Sequence, residues 1–325
     1  MPWKLFAVEY TNLGKTGLKV SVAGIGTGGN SRLGIKTGKT TEQSIAILHE
    51  AIDLGINFID TAENYGSDQI VGEAIKSFPR EKIVLATKST IRNSDGCLTA
   101  DEVVCRLNSS LKRLNTDYVD ILNLHGVKPE EYDYSLNELA PALLKEKEKG
   151  KIKHLGLTES ATCDPHHTVI EKALEEDIWE VCMVAYHLMC QQARNTIFPL
   201  TQKNGVGTLL MYAVRSIFSD KEYLKETLKI LAAEQKIDPA LAMGEPLEFL
   251  MVEGGAKSII DAAYRFVRHE PGVDVLLFGT GNIEHLRANL SSILSPPLPQ
   301  PTVDKIYELF GHLVGVGLDM PRFTS

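Results

Sequence analysis

Short runs of apolar, mostly β-branched residues alternate along this chain with stretches in which apolar positions recur every three or four residues. Runs of the first kind read as buried strands, and those of the second as amphipathic helices. The pattern predicts strands over residues 20–27, 57–61, 82–88, 118–124, 151–158, 180–186, 206–213 and 273–278. It predicts helices over 41–54, 68–77, 99–114, 135–150, 165–176 and 283–294, with further helical stretches between the later strands. End signals sharpen two of these: Thr99-Ala100-Asp101-Glu102 reads as a capping box, and Asp164-Pro165 as an N-cap followed by a first-turn proline. The strands are hydrophobic throughout rather than on alternate residues, which implies a parallel sheet covered on both faces. Eight strand–helix units in a chain of 325 residues suit a closed (β/α)8 TIM barrel better than an open doubly wound sheet.

Three segments stand outside that count. Residues 10–20, with turns at Asn12-Leu13-Gly14 and Thr16-Gly17, read as an N-terminal β-hairpin able to plug one end of the barrel. Residues 220–256 are long for one connection, and helices are expected over 222–235 and near 246–252. Pro296-Pro297-Leu298-Pro299 reads as an extended connector to a final helix over 302–314 and a tail. No Pro/Gly/Ser-rich linker divides the chain. The expectation is one domain over 1–325: hairpin about 8–20, barrel about 20–295, C-terminal helix and tail 296–325.

Composition, at 43% hydrophobic and 23% charged residues, adds only that the chain is globular. The 34 Lys plus Arg against 42 Asp plus Glu give a net charge of −8, which argues against a nucleic-acid surface. No apolar run approaches the roughly 20 residues of a membrane span, and MPWKLFAVEY lacks a signal-peptide core. Five cysteines without CxxC spacing make a disulfide framework improbable, so a cytoplasmic location is expected.

Barrels of this kind carry their chemistry at the C-terminal ends of the strands. Asp60 ends the second predicted strand, Lys88 ends the third, and His125 directly follows the fourth. Tyr65 lies five residues beyond Asp60. Each alone has a plain structural reading as a cap, a turn former or a solvated charge. Together, from successive strands, they make a set. A buried Lys88 between Asp60 and Tyr65 is expected to stay charged and to lower the Tyr65 pKa from about 10. Such a tyrosine donates or accepts a proton near neutral pH, and His125 can orient a substrate oxygen. The set suits protonation of a carbonyl oxygen as a hydride arrives at carbon. No metal-ligand spacing and no activated Ser or Cys stands out, which leaves hydrolysis poorly supported. Two other classes compete: a lyase with Lys88 as a Schiff-base nucleophile, disfavoured by Asp60 beside it, and a non-catalytic nucleotide-sensing or regulatory subunit.

The sequence resembles the aldo-keto reductase family. The resemblance rests on Gly55-Ile56-Asn57-Phe58-Ile59-Asp60-Thr61-Ala62 with Tyr65-Gly66, on Ala86-Thr87-Lys88, and on Leu124-His125-Gly126. The hairpin from Leu13 to Ser21 and Arg113-Leu114-Asn115-Thr116-Asp117-Tyr118-Val119-Asp120 are also similar. It implies a catalytic tetrad of Asp60, Tyr65, Lys88 and His125, with Tyr65 as general acid. It also implies a nicotinamide cofactor, usually NADPH, and an aldehyde or ketone interconverted with its alcohol. The expected partner is that small carbonyl or alcohol substrate, on a monomer or small homo-oligomer.

Cofactor contacts follow residue by residue. Gly24, Gly26 and Gly29 match GxGxxG spacing, but no helix opens at the third glycine, so a Rossmann site is not read here. By resemblance Gly26, Thr27 and Gly28 line the cofactor cleft instead. Gly279-Thr280-Gly281-Asn282 precedes a helix whose free N–H groups can hold a phosphate, and Asn289 matches an adenine contact. Many members carry Lys and Arg for a 2′-phosphate where this chain has Gly279 and His285, with Arg287 two residues on. NADP(H) is favoured and NAD(H) is the alternative. Thr158-Glu159 replaces the usual Ser-Asn, and Met183 the usual Gln, around the carboxamide. Glu159 is expected to accept from the carboxamide NH2 and, ionised, to favour the oxidised cofactor. Tyr212 matches the ring that stacks on nicotinamide, and Asp68 stands where Glu is usual. Cys163-Asp164-Pro165-His166-His167 reads as a helix start rather than a metal site, residues 145–153 as a solvated face, and Tyr186-His187 as rim packing or a substrate contact.

Overall fold

Eight parallel strands close on one another: β1 (Ala23–Gly26), β2 (Phe58–Asp60), β3 (Val84–Thr90), β4 (Val119–Val127), β5 (Ile152–Glu159), β6 (Val181–Ala185), β7 (Gly207–Met211) and β8 (Val275–Phe278). β8 pairs with β1 through Leu276↔Ala23 and Phe278↔Ile25, which completes the ring. The computed structural model describes residues 7–318. Helices between the strands pack outside the barrel. Their apolar faces and the outward strand residues, such as Ile59, Leu85 and Leu122, form one large core. The alternate strand residues point inward and form a second core of Phe58, Val84, Ala86, Ile121, Val181, Met183, Leu209 and Val275. The expected barrel is therefore the observed one.

The hairpin also takes its expected place. Tyr10–Asn12 pairs antiparallel with Lys19–Ser21, and the turn between them drives Leu13 into the inner core, where it is fully buried. Gly207 makes room for it, since a Cβ there would lie 2.6 Å from Leu13 Cγ. Asp274 fastens the plug by accepting from the backbone N–H groups of Gly14 (3.2 Å) and Thr208 (3.0 Å). Asn57 fastens its other arm, accepting from Ser21 N–H at 2.7 Å and donating to Lys19 C=O at 2.9 Å.

The boundaries differ where tertiary contacts intervene. The strand expected over 20–27 divides: Lys19–Ser21 stays in the hairpin and only Ala23–Gly26 joins the barrel. β3 and β4 run on to Thr90 and Val127, β4 with an irregular register after Leu124. A small hairpin, Arg92–Asn93 with Gly96–Cys97, follows β3 and was not expected. The helix expected over 165–176 is only Thr168–Ala173, because His167 takes a left-handed φ of 61°. Asp164 still caps it, accepting from the N–H groups of Thr168 and Val169. Between β7 and β8, the helices Lys221–Ala233, Phe249–Val252 and Ile259–Arg268 are separated by turns that use left-handed glycines, Gly244 and Gly255. The final helix is Gln300–Phe310. Four of the five lysines of 145–153 add ion pairs to this partly exposed face: Lys147 pairs with Glu180, Lys149 and Lys151 with Glu146, and Lys153 with Asp120.

Leu13→Ala removes the centre of the plug and leaves a cavity that the closed ring cannot fill by collapse. Urea unfolding is expected to show a loss of about 2–5 kcal/mol.

Candidate active site

β2 and β3 are paired with Asp60 opposite Ala86, so Lys88, the next inward residue along β3, lies one step beyond Asp60 and within reach of its carboxylate. Lys88 Nζ donates to both Asp60 oxygens at 2.6 Å and to Thr61 C=O at 2.9 Å. Lys88 is 1% and Asp60 5% exposed, so water does not compete for this pair. Burial works against the ammonium, but Asp60 and Tyr65 outweigh it and hold the Lys88 pKa above its usual value.

The loop after β2 brings Tyr65 over this pair, with Lys88 Nζ 5.0 Å from its ring centroid. Asp68, at the start of the helix Asp68–Ile75, fixes the loop. Its Oδ1 accepts from Thr61 Oγ1 at 3.0 Å and its Oδ2 from Arg113 at 2.9 and 3.1 Å. Gly28 presses on the other side of the phenol: a Cβ there would lie 2.6 Å from the Tyr65 ring. His125 meets that ring edge to face at a centroid distance of 5.8 Å. Burial, then Lys88 and Arg92, pull the His125 pKa down to about 3, so its imidazole is neutral at physiological pH. Its Nδ1 has no partner among the described residues. The structure thus brings together Asp60, Tyr65, Lys88 and His125. One expectation is corrected: burial raises the Tyr65 pKa by more than Lys88 lowers it, so the phenol rests in its protonated form.

The remaining candidates divide. Gly26 and Gly279 face each other across the β1–β8 junction, where a Cβ on Gly279 would lie 3.1 Å from Gly26 C=O. Gly28 packs against the Tyr65 ring and Gly281 against the Gly34 backbone, so this rim of glycines is one of close backbone approach. Tyr212 is partly exposed at the end of β7, close enough to Tyr65 to bear on its ionisation, with the Arg215 guanidinium 4.1 Å over its ring. Asn289 is half-buried and His285 exposed.

Several side chains are committed elsewhere. Thr27 turns its hydroxyl to Ser67 Oγ at 2.8 Å, leaving only backbone for a ligand. Thr158 Oγ1 accepts from Gly126 N–H at 2.7 Å, and Met183 belongs to the inner core with the plug. Glu159 is buried, and both its oxygens have partners within the protein: Oε1 accepts from Ala185 N–H at 2.8 Å and Oε2 meets His167 Nδ1 at 2.7 Å. The start of the helix Ile283–Ile293 is not open either. Asn282 Oδ1 already accepts from the N–H groups of Glu284 and His285, while Thr280 Oγ1 accepts from Asn282 N–H. Tyr186 and His187 are buried packing residues, with the Tyr186 hydroxyl donating to Glu270 at 2.7 Å and His187 edge-on to Phe218. Among the described residues no three His, Cys, Asp or Glu side chains lie together as metal ligands.

The description "Aldo/keto reductase family" matches residues 24–310, nearly the whole barrel and the final helix. The chain belongs to the aldo/keto reductase family. It is 29% identical over 307 residues to the aldo-keto reductase YhdN of Bacillus subtilis, covering 86% of this chain and 87% of that one. It is 32% identical over 208 residues to the L-galactose dehydrogenase of Arabidopsis thaliana, a match spanning 62% of this chain and 64% of that relative. In fold it is similar to the holo form of aldo-keto reductase AKR11C1 from Bacillus halodurans, with TM-score 0.71 at 22% identity, over 96% of this chain and 100% of that one. As an aldo/keto reductase the chain is an oxidoreductase. Two features of this member had little sequence signal, because both depend on loops meeting in space: the Glu159–His167 pair and Arg32, whose Nη1 donates to Tyr65 C=O at 2.8 Å.

The Glu159–His167 pair is open to a pH test. Burial works against the His167 cation, but Glu159 outweighs it and raises the pKa. Its stabilising contribution is therefore full below the unfolded value of about 6.5 and is lost as pH rises through the folded value. Glu159→Gln is expected to cost about 3 kcal/mol by urea unfolding near pH 6 and clearly less near pH 9.

Proposed function

We propose that the protein interconverts an aldehyde or ketone and its alcohol with a nicotinamide dinucleotide as hydride carrier, Tyr65 being the general acid and base. The observation that carries this reading is the buried Lys88–Asp60 pair beneath a protonated Tyr65, with a neutral His125 at the ring's edge. When bound, the nicotinamide supplies or accepts the hydride. Tyr65 gives its hydroxyl proton to the carbonyl oxygen in reduction and takes it back in oxidation. Lys88 stabilises the phenolate left behind, and Asp60 keeps Lys88 charged and in place. Neutral His125 hydrogen-bonds the same oxygen and orients it. The salt-bridged ammonium is a poor nucleophile, which disfavours a Schiff-base lyase. All five cysteines are free thiols, in keeping with the proposed reducing, cytoplasmic setting.

Tyr65→Phe is expected to lower kcat by about 10²–10⁴ while cofactor binding, followed by fluorescence titration, stays within about twofold. Full activity in this variant would remove Tyr65 from the role, and borohydride trapping of Lys88 with substrate would favour the lyase.

For the cofactor's 2′ position, resemblance favours NADP(H), but one observation favours NAD(H). Arg287 Nε is paired with Glu50 at 2.8 Å, and Glu284 adds a second carboxylate at the start of that helix. NADH is therefore expected to bind at least as tightly as NADPH. Glu50→Gln is expected to shift the ratio of the two dissociation constants toward NADPH by about three- to tenfold.

A further inference from the structure

The arginines around the barrel mouth and the β8–β1 seam are mostly neutralised. Arg92 pairs with Glu131, Arg106 with Glu63, Arg113 with Asp68 and Arg287 with Glu50. Arg32 has no carboxylate partner among the described residues; its Nη1 donates to the Tyr65 carbonyl oxygen at 2.8 Å. A guanidinium carries five N–H donors, so most of its capacity and its full charge remain available to an anion.

The position of Arg32 is imposed rather than loose. Leu33 is fully buried, and its carbonyl accepts from Ser44 Oγ at 2.9 Å. Arg32 and Leu33 both take left-handed backbone, φ 44° and 57°, which side-chain-bearing residues rarely adopt. The same loop closes on the segment after β8: a Cβ on Gly281 would lie 2.7 Å from Gly34 Cα and 3.2 Å from Ser31 Cβ. The loop that carries Arg32 therefore lies against the glycine rim at 279–281 through Ser31 and Gly34, while Arg32 itself reaches the loop that carries Tyr65. The phosphate-holding groups expected within residues 279–287 are engaged within the protein. Arg287 is held by Glu50, and the N–H groups of Glu284 and His285 are taken by Asn282.

We propose that Arg32 is the cation that receives the diphosphate of the dinucleotide cofactor, supplied from the loop after β1 rather than from the segment after β8. This rests on the cofactor reading above. Because the diphosphate is common to both dinucleotides, Arg32 contributes equally to NADH and NADPH. Because it also holds the Tyr65 backbone, it couples cofactor seating to the position of the general acid.

The test is equilibrium binding of NADH, NADPH and ADP-ribose to wild type, Arg32→Ala and Arg32→Gln, with thermal melts to confirm folding. Gln keeps an N–H for the Tyr65 carbonyl but removes the charge. Both variants are expected to weaken all three ligands alike, roughly 10- to 100-fold. They are also expected to flatten the salt dependence of binding, which a purely structural role would not do. Wild-type affinities in Arg32→Gln overturn the proposal. So does an effect confined to KM for carbonyl substrates bearing a carboxylate or phosphate, which places Arg32 on the substrate. Failure of wild type to bind any of the three ligands removes the cofactor reading, and this proposal with it. Binding by wild type that Arg32→Gln leaves unchanged removes this proposal alone.

Discussion

An ammonium taken out of water is tolerated only where a carboxylate and further acceptors await it, and Lys88 meets that condition at the end of β3. Asp60 accepts on both oxygens and Thr61 C=O completes the set. The requirement reaches well beyond the pair. It needs Asp60 and Ala86 in register, and therefore the parallel pairing of β2 and β3. It needs the apolar layer below, closed by Leu13, to keep water from entering from the other end of the barrel. Above, it gives the Tyr65 loop a charged floor; the Asp68–Arg113 pair anchors that loop, and Gly28 and His125 flank the ring. Site and scaffold are here one arrangement of contacts.

Burial decides the protonation states of this site more than pairing does. Lys88 acts on Tyr65 in the direction that spacing alone predicts, yet removal of the phenol from water is the larger effect and raises its pKa. The same desolvation leaves His125 neutral. The resting site thus holds two neutral groups, one able to donate a proton and one to orient an oxygen, over a pair whose charges cancel.

The legibility of these features in the sequence follows from their range. Barrel strands buried on both sides leave unbroken apolar runs, so all eight were readable. The residues ending β2, β3 and β4 then had only one rim to occupy. Boundaries shifted where a distant partner intervened. His167 gives up a helical backbone to meet Glu159, which shortens its helix, and Asn57 holds Ser21 in the hairpin, which shortens β1. Glu159 and Thr158 occupy the expected strand end, but their hydrogen bonds go to neighbouring backbone, and no spacing rule contains that choice. Arg32 was invisible for the same reason: its meaning depends on Tyr65 and Gly281, far away in the chain.

The glycine rim at 26–28 and 279–281 lies on the seam between β1 and β8, the pair of strands most widely separated along the chain. Pairing across so long a stretch of chain carries a large loop-closure cost, which slows folding. A dinucleotide lying across the seam, as proposed above, would touch both sides of that joint. It binds the closed ring and not the open one, so saturation at about 100 times Kd adds about 2.7 kcal/mol to closure. In a cell such a stabilisation would bear on lifetime as well as turnover, since a tighter closed ring opens less often to proteases.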